Sequence, residues 1–233
     1  MTDAPAAPRG LGYDDLPRLV AAMTGDEKHA ISADSTLDVL WVLYDRVLNV
    51  SPITVDDPNR DRFLLSKGHG PMSYYAVLTA KGFIEIDTLT TFGTYDSPLG
   101  HHPDRLLIPG VEASSGSLGH GLPIGVGLSL GLDAQQRGGR VVVLVGDAEL
   151  DEGSNHEAIA LAGRLGLDRL TAVVVDNRSA SHGWPGGIAS RFEIEGWSSA
   201  TVDGRDHDAL EAALTAPRTG RPSVVAAVVE HGS

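Results

Sequence analysis

Two residue pairs carry the clearest chemistry in this 233-residue chain. Gly146-Asp147 closes the apolar run Arg140-Val-Val-Val-Leu-Val145, and Asp176-Asn177 closes Leu170-Thr-Ala-Val-Val-Val175. Both runs are continuous rather than alternating, the pattern of strands buried on both faces of a parallel sheet. A helical stretch, Gly153 to Leu165, fits between them, so the strands can be neighbours in a right-handed βαβ unit. Ligands of open α/β sheets bind outside the carboxyl ends of strands. Asp147 and Asn177 could therefore present two hard oxygens to one point. Such oxygens suit Mg²⁺, which takes few protein ligands and fills its shell with phosphate oxygens and water; Ca²⁺ or Mn²⁺ could replace it. Taken alone, the same residues also fit as caps of helices or turns.

The charge balance restricts what such a site can bind. The chain has 18 Lys and Arg against 31 Asp and Glu, a net charge of −13. Nucleic acid is not expected as a partner, because phosphate contacts need clustered basic residues. A single phosphate-bearing ligand remains compatible if a metal or backbone N–H groups neutralise it. There is no cysteine, which excludes disulfides, zinc thiolates and thiol nucleophiles. No signal-peptide pattern opens the chain and no run reaches membrane-spanning length, so a cytoplasmic location is the expectation.

The flanking elements follow from periodicity. Residues 1–12 read as a loose tail, and residues 13–233 as one α/β domain. Helices are expected from Asp14 to Met23 and from Ser35 to Val47, the second with Leu37, Leu40, Trp41, Tyr44 and Leu48 on one face. Phe63-Leu-Leu-Ser reads as a strand, and Lys67-Gly-His-Gly-Pro71 as a glycine turn opening a helix that runs to Gly82. Gly93 to Pro109 is loop-like. Ser114-Ser-Gly-Ser-Leu-Gly-His-Gly121 is a glycine-rich loop that opens a small-residue helix, Leu122 to Gln136. Strands at Ala200 to Asp203 and Ser223 to Val229, with a helix from His207 to Leu214 between them, complete the pattern. The alternation predicts a doubly wound parallel sheet with helices on both faces.

The text around these elements resembles a family. Gly146-Asp147-Ala148 followed by Asp176-Asn177 is similar to the thiamine diphosphate motif. Asp61-Arg-Phe-Leu-Leu-Ser-Lys-Gly-His-Gly70, Gly116-Ser-Leu-Gly-His-Gly121, Asp151-Glu-Gly-Ser-Asn-His-Glu-Ala158 and Val202-Asp-Gly204 resemble, in order, the diphosphate-binding domain of transketolases. The resemblance implies thiamine diphosphate as cofactor with Mg²⁺ held by Asp147, Asn177 and the carbonyl of Ser179. It implies cofactor contacts from His69, Gly116, Ser117, Leu118, Gly146, Asp147, Ala148 and Asn177, with His182 near the cofactor loop. It further implies that His69, His102 and His29 line the thiazolium and substrate channel, where imidazole can shuttle protons near neutral pH. His101 competes with His102 for that role, and His29 lacks the usual flanking residues. Glu152 resembles a glutamate at the subunit interface; its plainer reading is a charge at a helix N-terminus.

Three departures shape the functional reading. Ala148 replaces a glycine, which is tolerable if φ there is negative. Arg178-Ser-Ala-Ser-His-Gly-Trp-Pro replaces a more apolar segment, which puts substrate preference in question. The resemblance stops short of the family's pyrimidine-binding domain and its cofactor-activating glutamate, which are expected on another chain. The resemblance therefore implies a C-terminal transketolase-like partner subunit and an α2β2 heterotetramer that moves a two-carbon ketol unit from a ketose to an aldehyde. Trp41, Tyr44 and the Leu122 to Leu132 helix are candidate interface faces. The alternatives are the α-like component of a 2-oxoacid dehydrogenase or acyl-transfer complex delivering to a carrier thiol, and a non-catalytic nucleotide-binding domain.

Overall fold

The computed structural model describes residues 10–24, 34–68, 70–180, 184–217 and 220–229. Among them, five strands form one parallel sheet in the order β1-β2-β3-β5-β4. The strands are β1 (Arg62–Leu65), β2 (Val141–Gly146), β3 (Leu170–Asp176), β4 (Ser198–Asp203) and β5 (Ser223–Val228). The doubly wound expectation holds. Helices α1 (Leu16–Ala21), α2 (Leu37–Val42), α3 (Met72–Ala80) and α7 (His207–Thr215) cover one face. Helices α4 (Gly121–Ala134), α5 (Gly153–Leu165) and α6 (Gly187–Glu193) cover the other.

The chirality of the crossovers explains this division. From β2 to β3 and from β3 to β4 the chain moves in one direction across the sheet, and right-handed connections put α5 and α6 on the same face. From β4 it steps back to β5, so α7 falls on the opposite face. The continuous apolar strands serve both layers at once. Val142 and Leu144 point into the first core, and Val141, Val143 and Val145 into the second.

Local detail departs from the periodicity in three places. The first helix opens with a 3-10 turn, Tyr13–Asp15, before α1. The second relaxes after Val42 into a π-type turn, Leu43–Val47, in which the Leu48 N–H reaches back to the Leu43 carbonyl at 2.8 Å. Helix α6 has no counterpart among the expected elements; with Gly186 and Gly187 at its start it lacks a strong sequence signature. Trp41 and Tyr44, candidate interface residues from the sequence, are 6% and 7% exposed and belong to the core. The Tyr44 hydroxyl finds its partner in the Tyr74 hydroxyl at 3.0 Å. The small residues of α4 do permit close packing: a Cβ on Gly125 would lie 2.5 Å from Val143 Cγ2.

Candidate functional site

Strands β2 and β3 pair in register up to Gly146 and Val175, and the Asp147 N–H extends the ladder to the Val175 carbonyl at 3.1 Å. Asp147 and Asn177 thus leave adjacent strand ends, both buried. The Asp147 carboxylate accepts from the Ser179 N–H at 2.7 Å, the Ser179 hydroxyl at 2.6 Å and the Ala180 N–H at 3.0 Å. Asn177 Oδ1 is buried and has no hydrogen-bond partner among the described residues. A buried amide oxygen without a partner costs about 1–3 kcal/mol, and this one leaves the strand next to the one that carries Asp147. A hard divalent cation fits that pair of oxygens. Arg178 turns the chain between Asn177 and Ser179 at φ 58°, a conformation that residues other than Gly and Asn rarely adopt. Ala148 does not have a positive φ, so its methyl group is not strained.

A glycine-rich loop stands over these strand ends and is docked on three sides. A Cβ on Gly68 would lie 2.6 Å from the Gly116 nitrogen, and one on Gly116 would lie 2.7 Å from the His102 ring. Gly116 itself has φ 132°, which only glycine adopts readily. The turn after β1, the loop at Gly116 and the imidazole of His102 are therefore stacked in direct contact. Gly119 rests on the Cβ of Glu152, and the Ser154 hydroxyl donates to the Gly119 carbonyl at 2.7 Å. His101 points elsewhere, with its ring 5.3 Å from Phe92 and against Gly93. The Tyr75 hydroxyl, whose pKa burial pushes up, donates to the Gly100 carbonyl at 2.8 Å and ties this loop to α3.

Two buried ionisable residues at the site were not singled out by type or spacing. Lys67 lies over Gly146, with its stem 3.3–3.5 Å from where a Gly146 Cβ would sit, and its ammonium donates to Ser35 Oγ at 3.1 Å. Burial pulls its pKa down to about 8, against the attraction of Asp147 and Glu149. Glu149, 1% exposed, accepts from the Ser66 hydroxyl, the Gly119 N–H at 2.8 Å and the Gly146 N–H at 3.3 Å. Burial raises its pKa, and those three donors oppose the rise. Lys67 lies within the Asp61 to Gly70 stretch, whereas Glu149 falls just after Ala148 and carried no sequence signal of its own.

Of the residues expected at the site, Asp147, Asn177, Ser179, Gly146 and Ala148 gather at the β2 and β3 ends. Gly116, Ser117 and Leu118 lie on the glycine-rich loop, with His102 packed against it. Glu152 is exposed at the start of α5. His29, His69 and His182 lie outside the described residues. Asp38, the acidic residue nine positions after His29, is buried and tied to α7 and its approach: it accepts from Arg205 at 2.9 Å and Tyr13 at 2.5 Å, with His207 Nε2 at 2.8 Å.

Residues 20–233 match the family described as transketolase, thiamine diphosphate binding domain. The chain belongs to the transketolase family. Its relatives within this thiamine diphosphate-dependent family of transferases include an apulose-4-phosphate transketolase subunit from Actinobacillus succinogenes, 33% identical over 97% of this chain and 88% of that protein. A protein of Rhodococcoides fascians named ferredoxin fas2 is 57% identical over 97% of this chain and 75% of its own length. That name does not carry over, because this chain has no cysteine to hold an iron–sulfur cluster. Among solved structures, the transketolase of Pichia stipitis in complex with sedoheptulose 7-phosphate superposes with a TM-score of 0.74 at 25% identity, covering 93% of this chain. The matched region spans 36% of that longer transketolase.

Proposed function

We propose that this chain binds thiamine diphosphate through Mg²⁺ and works with a C-terminal transketolase-like subunit, as one half of a split transketolase. The observation that carries the reading is the buried, unpartnered Asn177 Oδ1 at the end of β3, next to the strand whose end carries the buried Asp147 carboxylate. Asp147, Asn177 and the Ser179 carbonyl would hold the metal, with Ca²⁺ or Mn²⁺ as possible substitutes. Gly116, Ser117, Leu118, Gly146 and Ala148 would receive the cofactor, together with His69 and His182. When bound, thiamine diphosphate supplies carbanion-stabilising chemistry for breaking and making carbon–carbon bonds. His102, which lies against Gly116, would exchange a proton with a ketose or aldehyde oxygen, a task that His69 and His29 would share.

The partner requirement is supported by the Actinobacillus relative, named as one subunit of its transketolase, which this chain matches along nearly its whole length. The α4 and α5 helices expose Ile124, Leu130, Leu161 and Leu165, apolar side chains that a subunit boundary in an α2β2 assembly would cover. Glu152, exposed at the start of α5, would sit at that boundary. Residues 13–233 would act as one cofactor-binding domain. No helix among the described residues is long and apolar enough to cross a membrane.

The test is calorimetry with thiamine diphosphate and Mg²⁺, with and without the partner subunit. The wild type is expected to bind, and Asp147→Ala, checked for fold by circular dichroism, to lose binding. Binding that survives Asp147→Ala would refute the metal assignment, and ketol transfer by the chain alone would refute the split. A screen of ketose phosphates against 2-oxoacids separates ketol transfer from the dehydrogenase-like alternative.

A further inference from the structure

The Glu149 carboxylate is among the most buried charges in the structure, and the metal assignment does not use it. Burying a carboxylate is costly unless it is well hydrogen-bonded, so its bonds show what it does. Glu149 Oε1 accepts from the Gly119 N–H and the Ser66 hydroxyl, and Oε2 accepts from the Gly146 N–H. Ser66 Oγ in turn accepts from the Gly121 N–H at 2.9 Å. The turn is held from below by Asn155 Nδ2, which donates to the Glu149 carbonyl at 2.7 Å. One buried acid therefore grips three separate segments: the end of β1, the glycine loop and the end of β2. These are the segments that frame the proposed cofactor site. The fit is close, since a Cβ on Gly121 would lie 2.2 Å from Ser66 Cβ.

We infer that Glu149, acting through Ser66, is a positioning residue that fixes the Gly116–Gly121 loop against the Asp147 turn and so sets the affinity of the site for thiamine diphosphate. The inference rests on the cofactor reading above for its ligand, but not for its geometry. Outer partners that orient ligand-binding groups typically change affinity by about 10–100-fold when removed. Glu149 touches neither metal nor cofactor in this reading. Its effect passes through the backbone of Gly119, Gly121 and Gly146.

The experiment pairs amide hydrogen exchange by NMR on the full-length chain with calorimetric titration of thiamine diphosphate in Mg²⁺. In Glu149→Ala the Gly119 amide is expected to exchange about tenfold faster or more, while amides of β3 keep their protection, and cofactor affinity is expected to fall about tenfold or more. Glu149→Gln keeps one acceptor oxygen and should recover most of the Gly119 protection. Ser66→Ala, the milder variant should Glu149→Ala fail to fold, should expose the Gly121 amide selectively and weaken cofactor binding. Unchanged exchange and affinity in these variants would overturn the inference, as would protection lost equally across β2 and β3. A wild type that binds no cofactor would count against the cofactor reading, and the amide exchange would still decide the clamp.

Discussion

Lys67 is an ammonium group held in a place that works against its charge. Its pKa of about 8 compares with 10.5 in an unfolded chain, so the folded protein binds this proton more weakly than the unfolded one. The sign follows from linkage. Stability is greatest above the unfolded pKa and falls as pH drops through 10.5 towards 8, because protonation then favours unfolding. At pH 7 the full shift amounts to about 3 kcal/mol, and at pH 10 about 1 kcal/mol of it remains. Replacing Lys67 with Met removes the titrating group while keeping an unbranched stem over Gly146. The stability difference between Lys67→Met and wild type, measured by urea unfolding of the metal-free protein, should therefore shift by about 2.5 kcal/mol in favour of the variant between pH 10 and pH 7. The comparison of the two proteins cancels the other titrating groups. A difference that does not change with pH, or that moves in the variant's disfavour on acidification, would refute the reasoning. A cation retained at such a cost, in reach of Asp147 and Glu149, also predicts weaker thiamine diphosphate binding in Lys67→Met.

Two further substitutions test the packing of the site and of the fold. Gly116→Ala places a methyl group at φ 132° and 2.7 Å from the His102 ring; it should cost about 1–3 kcal/mol in thermal unfolding and turn His102 away, visible as a changed imidazole NMR shift. An unmoved His102 would show that the ring does not rest on Gly116. Gly163→Ala sits within α5, where helix propensity alone predicts a gain of about 1 kcal/mol. Its Cβ would lie 1.7 Å from the Glu195 carbonyl oxygen, a backbone atom that cannot swing aside, so the net effect should be a loss of about 1–3 kcal/mol or more. A raised Tm would refute that contact.

Much of the architecture was legible because burial on two faces leaves a plain signature. Continuous Val and Leu runs such as Val141 to Val145 serve two cores at once, and short polar pairs end them at the carboxyl edge of the sheet. Asp147 and Asn177 could be read directly, since a strand of known direction fixes where its last residue points. Helix α6 could not, because Gly186-Gly187-Ile188-Ala189 has no strong helical pattern and is held by Phe192 packing against Trp197, with rings 5.0 Å apart. Trp41 and Tyr44 fall on an apolar helix face, but periodicity does not say whether the core or a partner covers it.

The sequence by itself determined the parallel α/β class, the family and the two oxygens offered at adjacent strand ends, since each rests on residue order and local periodicity. Only the tertiary structure decided which of His101 and His102 lies against the glycine loop, because that depends on how the Gly93–Pro109 loop folds over Gly116. It alone revealed Lys67 as a buried cation and Glu149 as a buried clamp. Burial and hydrogen bonding of an ionisable side chain depend on segments far apart in the chain, such as Ser66, Gly119 and Gly146 around Glu149, and no short window of sequence contains them.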